Sequence, residues 1–146
     1  MENIVKDFQP KQKTKLFQIR WKEGLGEPGC PYVIRWVFIF FGYSIRIHHW
    51  FKSDDLRYQH CHAWDFITFV LKGYYTDISD DGEEIMSTYK LKYRKAEHKH
   101  CVKVDAECWT ILFTGRPKRN WGFWVNNKMF RPLRYFNKFG QHYICE

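Results

Sequence analysis

Residues 57–75 read RYQHCHAWDFITFVLKGYY, and this stretch contains the strongest signals of the fold of the chain. Its second half, residues 66–72, is rich in aromatic and β-branched side chains and is broken by Gly73, a pattern typical of a β-strand that ends in a turn. Its first half carries His60 and His62, two positions apart. Because residues two apart on a strand point to the same face, the stretch predicts two imidazoles side by side.

Further short strand-like runs occur on both sides of this stretch. The turn Asp80-Asp81-Gly82 precedes an alternation that predicts a strand with one buried side, formed by Ile85, Tyr89, Leu91 and Tyr93. No segment shows a sustained helical period. The remaining runs are residues 32–41, 43–51, 100–104, 109–114 and 121–125. About eight short strands separated by turns predict an all-β, single-domain, antiparallel β-barrel or jelly roll.

The composition fits one domain with a packed core. The chain has 146 residues, of which 45% are hydrophobic and 20% aromatic, so extensive disorder is excluded. The first part is polar and contains a cluster of Gly24, Gly26, Pro28 and Gly29. We therefore expect residues 1–31 to form an N-terminal arm or an edge strand. Residues 32–146 are expected to form the barrel, with a basic, aromatic C-terminal segment.

Three observations predict a cytoplasmic protein that does not enter a membrane. The N-terminal sequence MENIVKDFQPKQKTK lacks the apolar stretch of a secretory signal. The longest apolar run, residues 33–41, contains Arg35 and is about half the length of a membrane span. The five cysteines include no CxxC pair, and their odd number favours a reducing compartment.

A third histidine completes a candidate metal site with His60 and His62. His100 shares a strand face with Val102 and Val104, which indicates that it points inward. Three imidazoles from neighbouring strands would hold one divalent ion and leave coordination positions open for water or substrate. The competing interpretation is that each histidine is a surface residue or a hydrogen-bonded core residue. By the same alternation, Cys61 and Cys101 point away from the site.

These residues resemble the cupin superfamily, whose first motif is G(X)5HXH(X)3,4E(X)6G. Here His60, Cys61, His62 and the following residues up to Gly73 match it, and His100 matches the later histidine. The segments KAEHKHCVKV, CWTILFTGRPKRNWGFW and RPLRYF are more narrowly similar to small cupin proteins of bacteria and their phages. The resemblance covers roughly residues 32–136 and implies the cupin barrel. A viral origin, which it also suggests, would place the protein in the host cytoplasm.

The chain departs from the cupin motif at the glutamate. Phe66 occupies that position, and Asp65 is one residue earlier. Either a bulge turns Asp65 inward or the site has three histidines, as in the thiol dioxygenase branch of the cupins, where Fe(II) is bound. We expect three histidine ligands and Fe(II), with zinc, manganese and nickel as alternatives. Asp65, His48 and His98 are candidates to support the ligands from behind.

Six residues are candidates for binding a small, anionic substrate. The loop after the last long strand contains Arg116 and Arg119, and cations near a barrel mouth suit an anion. The alternative is a solvated hairpin tip. The other candidates are Arg46, Arg57, Tyr75 and Trp109, which alternation and position place near the pocket.

The chain carries a net charge of +8, and the excess lies near the C-terminus. No Asp or Glu occurs between Gly115 and Cys145, where aromatic residues are also frequent. Such a segment could bind nucleic acid. The alternative is a solvated edge whose aromatic side chains pack on the barrel. Exposed aromatic residues also permit a homodimer.

Two classes of function remain open at this point. The first is a non-haem metalloenzyme of the dioxygenase type that acts on a small anionic substrate. The second is a non-catalytic cupin-fold protein that binds an anionic small molecule, nucleic acid or a protein partner. The sequence shows no evident general base, and it lacks GxSxG, GxGxxG and Walker-type motifs.

Overall fold

The computed structural model describes residues 16–140, and these are almost entirely β-structure. The all-β prediction is therefore confirmed. One short helix, α1, follows the strands and spans Pro132–Phe139. The strands are β1 (Phe17–Glu27), β2 (Cys30–Phe40), β3 (Tyr43–Trp50), β4 (Phe66–Lys72), β5 (Tyr75–Ser79), β6 (Gly82–Met86), β7 (Leu91–Arg94), β8 (His100–Lys103), β9 (Cys108–Thr114), β10 (Phe123–Val125) and β11 (Lys128–Phe130).

The strands form two larger antiparallel sheets, which face each other across a cavity, and a two-stranded hairpin, β10-β11. The large sheet has the order β1-β2-β3-β9-β4-β7, and the small sheet contains β6-β5-β8. His60 extends the small sheet, because its backbone bridges His100 on β8 and Phe123 on β10. This places the histidine-rich segment between β8 and the hairpin β10-β11, on the side opposite the large sheet.

Residue alternation along the large sheet decides which side chains reach the interior. On β3, Ser44 and Arg46 are buried, and on β9, Thr110 and Leu112 are buried. The core of the barrel is a cluster of Val70, Tyr75, Met86, Val102, Val104 and Cys108. Apolar burial of this kind provides most of the folding free energy.

The predicted strand through residues 85–94 is wrong in two respects. The chain turns at residues 87–90, where Tyr89 has a φ of 67°, so Ile85 lies on β6 of the small sheet and Leu91 on β7 of the large sheet. Moreover, the apolar side is the exposed one: Ile85, Tyr89, Leu91 and Tyr93 are all exposed. The alternation of apolar and polar residues is present, but the apolar side faces solvent and is not buried.

Gly73 ends β4 at the position where the sequence placed a break. Its φ is 77°, a left-handed conformation that favours glycine. A Cβ atom at this position would lie 2.6 Å from the carbonyl oxygen of Glu107. The turn between β4 and β5 therefore requires glycine both for its backbone conformation and for the close approach of the neighbouring loop.

The C-terminal segment contains a second hydrophobic cluster and a helix that the sequence analysis missed. Pro132 at the start of α1 and Gly140 at its end are the local signals for this helix. The cluster consists of Phe123, Val125, Phe130, Tyr135 and Phe136, all of them buried. Many aromatic residues of the segment therefore pack against each other. Binding of nucleic acid by its basic residues stays a prediction.

Two further findings concern the expected compartment. No helix of the described chain is long and apolar enough to cross a membrane. Cys61, Cys101 and Cys108 are free thiols, whereas Cys30 is disulfide-bonded. The cytoplasmic location stays a prediction.

Candidate metal centre

Three histidines meet on the inner side of the small sheet. One potential ligand atom from each of His60, His62 and His100 lies within 4.8 Å of the others. The backbones of His60 and His100 exchange two hydrogen bonds, of 2.9 and 3.0 Å, so their side chains project side by side. The backbone N–H of His62 donates to the backbone carbonyl of Ala96 at 3.1 Å. Backbone pairing thus holds all three rings in place.

A buried carboxylate, Asp77, supports His100 from behind. Its Oδ2 atom lies 2.6 Å from Nδ1 of His100, and its Oδ1 atom lies 3.0 Å from Nε2 of His98. Nε2 of His100 is buried and has no hydrogen-bond partner within the described chain. An imidazole that is held through one nitrogen and leaves its second nitrogen unpaired is arranged to bind a metal ion.

His60 has a weaker carboxylate neighbour in Asp54. The distance from Nδ1 of His60 to Oδ2 of Asp54 is 3.4 Å, close enough for an ion-pair contact but without hydrogen-bond geometry. Oδ1 of Asp54 accepts the backbone N–H of Val102 at 3.0 Å. Sequence reasoning missed both Asp54 and Asp77. Asp77 had a detectable signal, because it shares a strand face with Tyr75.

The electrostatic environment keeps the three imidazoles neutral and Asp77 ionised. Burial lowers the pKa of His60, His62 and His100, and neighbouring imidazoles lower it further at His60 and His62. Burial alone would raise the pKa of Asp77. Hydrogen bonds from His100 and His98 and the charge of Arg94 outweigh it, and the pKa falls well below its usual range. Neutral imidazole is the form that binds metals.

The cupin glutamate position is filled by a phenyl ring. Phe66 is buried, and its ring centroid lies 4.7 Å from that of His62 and 6.4 Å from that of His100. Asp65 points elsewhere: its Oδ1 accepts the N–H of Ala96 at 2.8 Å and contacts Nζ of Lys118 at 2.7 Å. Asp65 is therefore tied to Ala96 and Lys118 and does not support the three histidines from behind, as had been expected.

The histidine cluster opens into a cavity of about 160 Å³ between the two sheets. Arg46, His48 and Tyr75 line it, as does Arg35, which the sequence analysis did not select. The guanidinium carbon of Arg46 lies 4.7 Å from the ring centroid of Trp64, and that ring lies 5.0 Å from the ring of His62. Arg46 is thus connected to the metal centre through one aromatic side chain.

His48 lies in the same cavity but has a different environment from the ligand histidines. Neither ring nitrogen has a hydrogen-bond partner within the described chain. Burial lowers its pKa well below the ordinary value, and the charges of Arg35 and Arg46 lower it further. Burial also lowers the pKa of Arg46, to about 9, so this guanidinium stays cationic at neutral pH. We had predicted that His48 supports the ligands from behind. It instead faces the cavity itself.

Four predicted substrate-binding residues lie outside the cavity. Trp109 is on the outer face of β9, where it stacks on His49 and Trp36. Arg57 pairs with Asp55 and donates to carbonyls at the end of α1. Arg116 donates to the carbonyl of Phe41, and Arg119 lies in the loop held by Ala63. None of these four lines the cavity: Trp109 faces outward, and Arg57 and Arg116 are held by other partners. A role of the four residues in substrate binding stays a prediction.

Comparisons with known proteins show the fold. The structure of Fe(II) HppE matches with a TM-score of 0.54 and 12% identity, over 75% of this chain and 62% of that one. A conserved protein of unknown function from Streptococcus pyogenes gives 0.51 and 12%, over 60% and 76%. A cupin superfamily protein from Desulfitobacterium hafniense gives 0.51 and 12%, over 57% and 77%. No family model matches the sequence, and no curated protein matches it either. With its two facing antiparallel sheets, the chain has a cupin-like fold.

Proposed function

We propose that the protein is a metal-dependent cupin enzyme of the dioxygenase type that acts on a small organic anion. One observation carries the proposal. Three neutral imidazoles, that of His100 buried and those of His60 and His62 half-buried, converge within 4.8 Å at the wall of a cavity. Nε2 of His100 has no hydrogen-bond partner within the described chain, and its Nδ1 is backed by an ionised carboxylate. This donor set suits a divalent transition metal.

Iron is the metal we favour, with zinc, manganese and nickel as alternatives. A bound Fe(II) ion would supply oxygen chemistry and, with three protein ligands, would keep coordination positions free for small molecules. The likeness to Fe(II) HppE supports this choice at the level of the fold. Phe66 adds support, because an apolar ring beside His62 keeps water away from that side of the site.

The protein's own residues would bind and orient the substrate. Arg46 supplies a cationic guanidinium to the cavity, and His48 supplies two ring nitrogens that have no hydrogen-bond partner within the described chain. Two acids, Asp54 and Asp55, also line the cavity. Burial raises the pKa of Asp54 well above its usual range, and Asp55 is paired with Arg57. An anionic group is therefore expected at Arg46, with its polar neighbour at His48.

The test is metal content, measured by inductively coupled plasma mass spectrometry on untagged protein reconstituted anaerobically with iron, zinc or manganese. We expect near-stoichiometric metal in the wild type and its loss in a His60→Ala/His62→Ala variant. The matched control is His49→Ala, a histidine on the outer face of the large sheet, and it should retain the metal. Oxygen uptake with a panel of small organic acids then tests the reaction.

Two outcomes would decide against the proposal. A folded wild type that takes up no metal would remove the basis for an enzyme. Metal binding without oxygen uptake for any of the acids, combined with tight binding of one of them, would favour a non-catalytic binding protein.

A further inference from the structure

Three cationic side chains meet around the ring of Phe130, where α1 packs on the β10-β11 hairpin. Nζ of Lys128 lies 5.8 Å from the ring centroid, Cζ of Arg134 lies 5.7 Å from it, and Nζ of Lys138 lies 5.2 Å from it. Lys128 is on β11, whereas Arg134 and Lys138 are on α1. Packing of the helix on the hairpin therefore creates this basic cluster, which consists of Lys128, Arg134 and Lys138.

No acidic group balances the basic cluster. Within residues 16–140, none of its three members forms an ion pair, although other lysines such as Lys92 and Lys118 do. The chain has no Asp or Glu between Gly115 and Cys145, so the helix and the hairpin supply none locally. Arg134 and Lys138 are four residues apart on a helix, a spacing at which like charges repel each other. A bound anion would offset this concentration of positive charge.

The packing of the basic cluster keeps its charges close together and accessible. All three cationic residues are exposed, whereas Phe130 beneath them is only 7% exposed. An aromatic ring attracts a cation that lies over it, and long basic side chains pack their methylene groups on apolar surface. Lys138 has a second contact of this kind, with the ring of Phe139 at 5.4 Å. The aromatic floor thus holds the charged groups near one point while leaving them open to solvent.

We propose that the basic cluster binds a small anion that carries a di- or triphosphate group. Phosphate oxygens accept hydrogen bonds from the fork of a guanidinium and from ammonium groups. Linked phosphates place several negative charges in a short length, which matches three cations gathered around one ring. A nucleic-acid strand would need a longer track of cations along its backbone. None of the three residues lines the cavity beside the histidines, so this site is separate from the candidate metal centre.

Isothermal titration calorimetry of the full chain with inorganic tripolyphosphate, at constant ionic strength, tests the proposal. We expect saturable, one-to-one binding by the wild type. Arg134→Gln/Lys138→Gln should weaken binding by about 10-fold or more, because two charge-assisted contacts are lost. Glutamine is a good helix former, so α1 should persist in this variant. Lys128→Gln should also weaken binding, because β11 contributes to the same cluster.

Two controls separate the basic cluster from general charge and from metal. Lys72→Gln/Lys103→Gln removes two exposed lysines elsewhere in the barrel and should bind tripolyphosphate as the wild type does. Tripolyphosphate also chelates divalent metals, so His60→Ala/His62→Ala is the second control, and it should retain binding of the anion.

Three results would overturn the proposal. The first is a wild type that shows no saturable binding, and the second is an equal loss of affinity in Arg134→Gln/Lys138→Gln and Lys72→Gln/Lys103→Gln. The third is tighter binding of a short oligothymidine than of tripolyphosphate, because that result would identify a nucleic-acid surface instead.

Discussion

The two ends of the cavity have opposite electrostatic designs. At the histidine end, His100 is held by the ionised Asp77, and His60 lies against Asp54. At the arginine end, on the large sheet, the wall is lined by Arg46 and by His48, whose ring nitrogens have no hydrogen-bond partner in residues 16–140. The histidine end provides lone pairs backed by the carboxylate of Asp77, which suits a cation, and the arginine end provides positive charge and polar nitrogens, which suit an anion.

The opposite charges of the histidine end and the arginine end would orient a ligand in the cavity. A small anion with a metal-coordinating group at its opposite side fits only one way, with its negative charge toward Arg46. The path from Arg46 to the ring of His62 passes through Trp64, with steps of 4.7 and 5.0 Å. The separation between the two ends therefore limits the ligand to a small molecule.

The largest expected effect is the acid sensitivity of the metal-free protein. The pKa values of His48, His60, His62 and His100 are all lowered in the folded state, chiefly by burial. Below about pH 6.5 the unfolded chain then binds more protons than the folded one, so the free energy of unfolding falls as the pH falls. Each histidine contributes roughly 1.4 kcal/mol for each pH unit in this range, up to about 5 kcal/mol for all of them.

Urea titrations of chelator-treated protein between about pH 7.5 and pH 5.5 measure this loss. Bound metal should shift it to lower pH, because ligation holds the imidazoles of the histidine end unprotonated. A free energy of unfolding that stays constant through this range would contradict the prediction. It would show that the four imidazoles have the same pKa in the folded and the unfolded chain.

The second effect concerns the carboxylate that supports His100. Asp77→Asn keeps the size of the side chain but removes its charge, so we expect metal affinity to fall about 10- to 100-fold. Competition with a chromophoric chelator measures the affinity. The matched control is Asp65→Asn, the carboxylate next to the cupin glutamate position, which binds Lys118 and should leave affinity unchanged. Equal losses in both variants would contradict the assignment of Asp77.

Sequence reasoning reached the fold and the meeting of His60, His62 and His100 because both depend on local alternation. It misplaced Trp109 for a physical reason. The outward residues of β9, Trp109, Ile111 and Phe113, are more apolar than the buried Thr110, Leu112 and Thr114, so hydrophobicity indicated the wrong face. It also misplaced Arg57 and Arg116, whose side chains donate to backbone carbonyl groups distant along the chain. Contacts of that kind leave no periodic signal.

Asp77 shows a second limit of sequence reasoning. A buried acid on a short strand can be recognised by its alternation with Tyr75, but its partner His100 is 23 positions away. Only the pairing of β5 with β8, which aligns Asp77 with Val102 and Ser79 with His100, brings the two side chains together. The sequence therefore predicted ligand candidates more readily than the group that orients them.

The smallest effect should come from His48→Phe, which tests the arginine end. A structural histidine would lose hydrogen bonds on this change, but both ring nitrogens of His48 are unpaired within the described chain. Replacing a buried, unpaired polar ring with an apolar ring of similar shape should leave stability unchanged or raise it by about 1 kcal/mol. Metal affinity should not change, because His48 is not among the clustered ligands. Urea denaturation and the chelator assay measure both quantities.

His100→Phe is the comparison variant for His48→Phe. That change removes a ligand and leaves the buried carboxylate of Asp77 without its closest partner, so it should abolish tight metal binding and lower stability by about 1–3 kcal/mol. If His48→Phe instead destabilised the protein as strongly, His48 would be a packing residue of the large sheet. If it proves neutral, the fold does not need the imidazole, and its place beside Arg46 is explained by a ligand that the cavity binds.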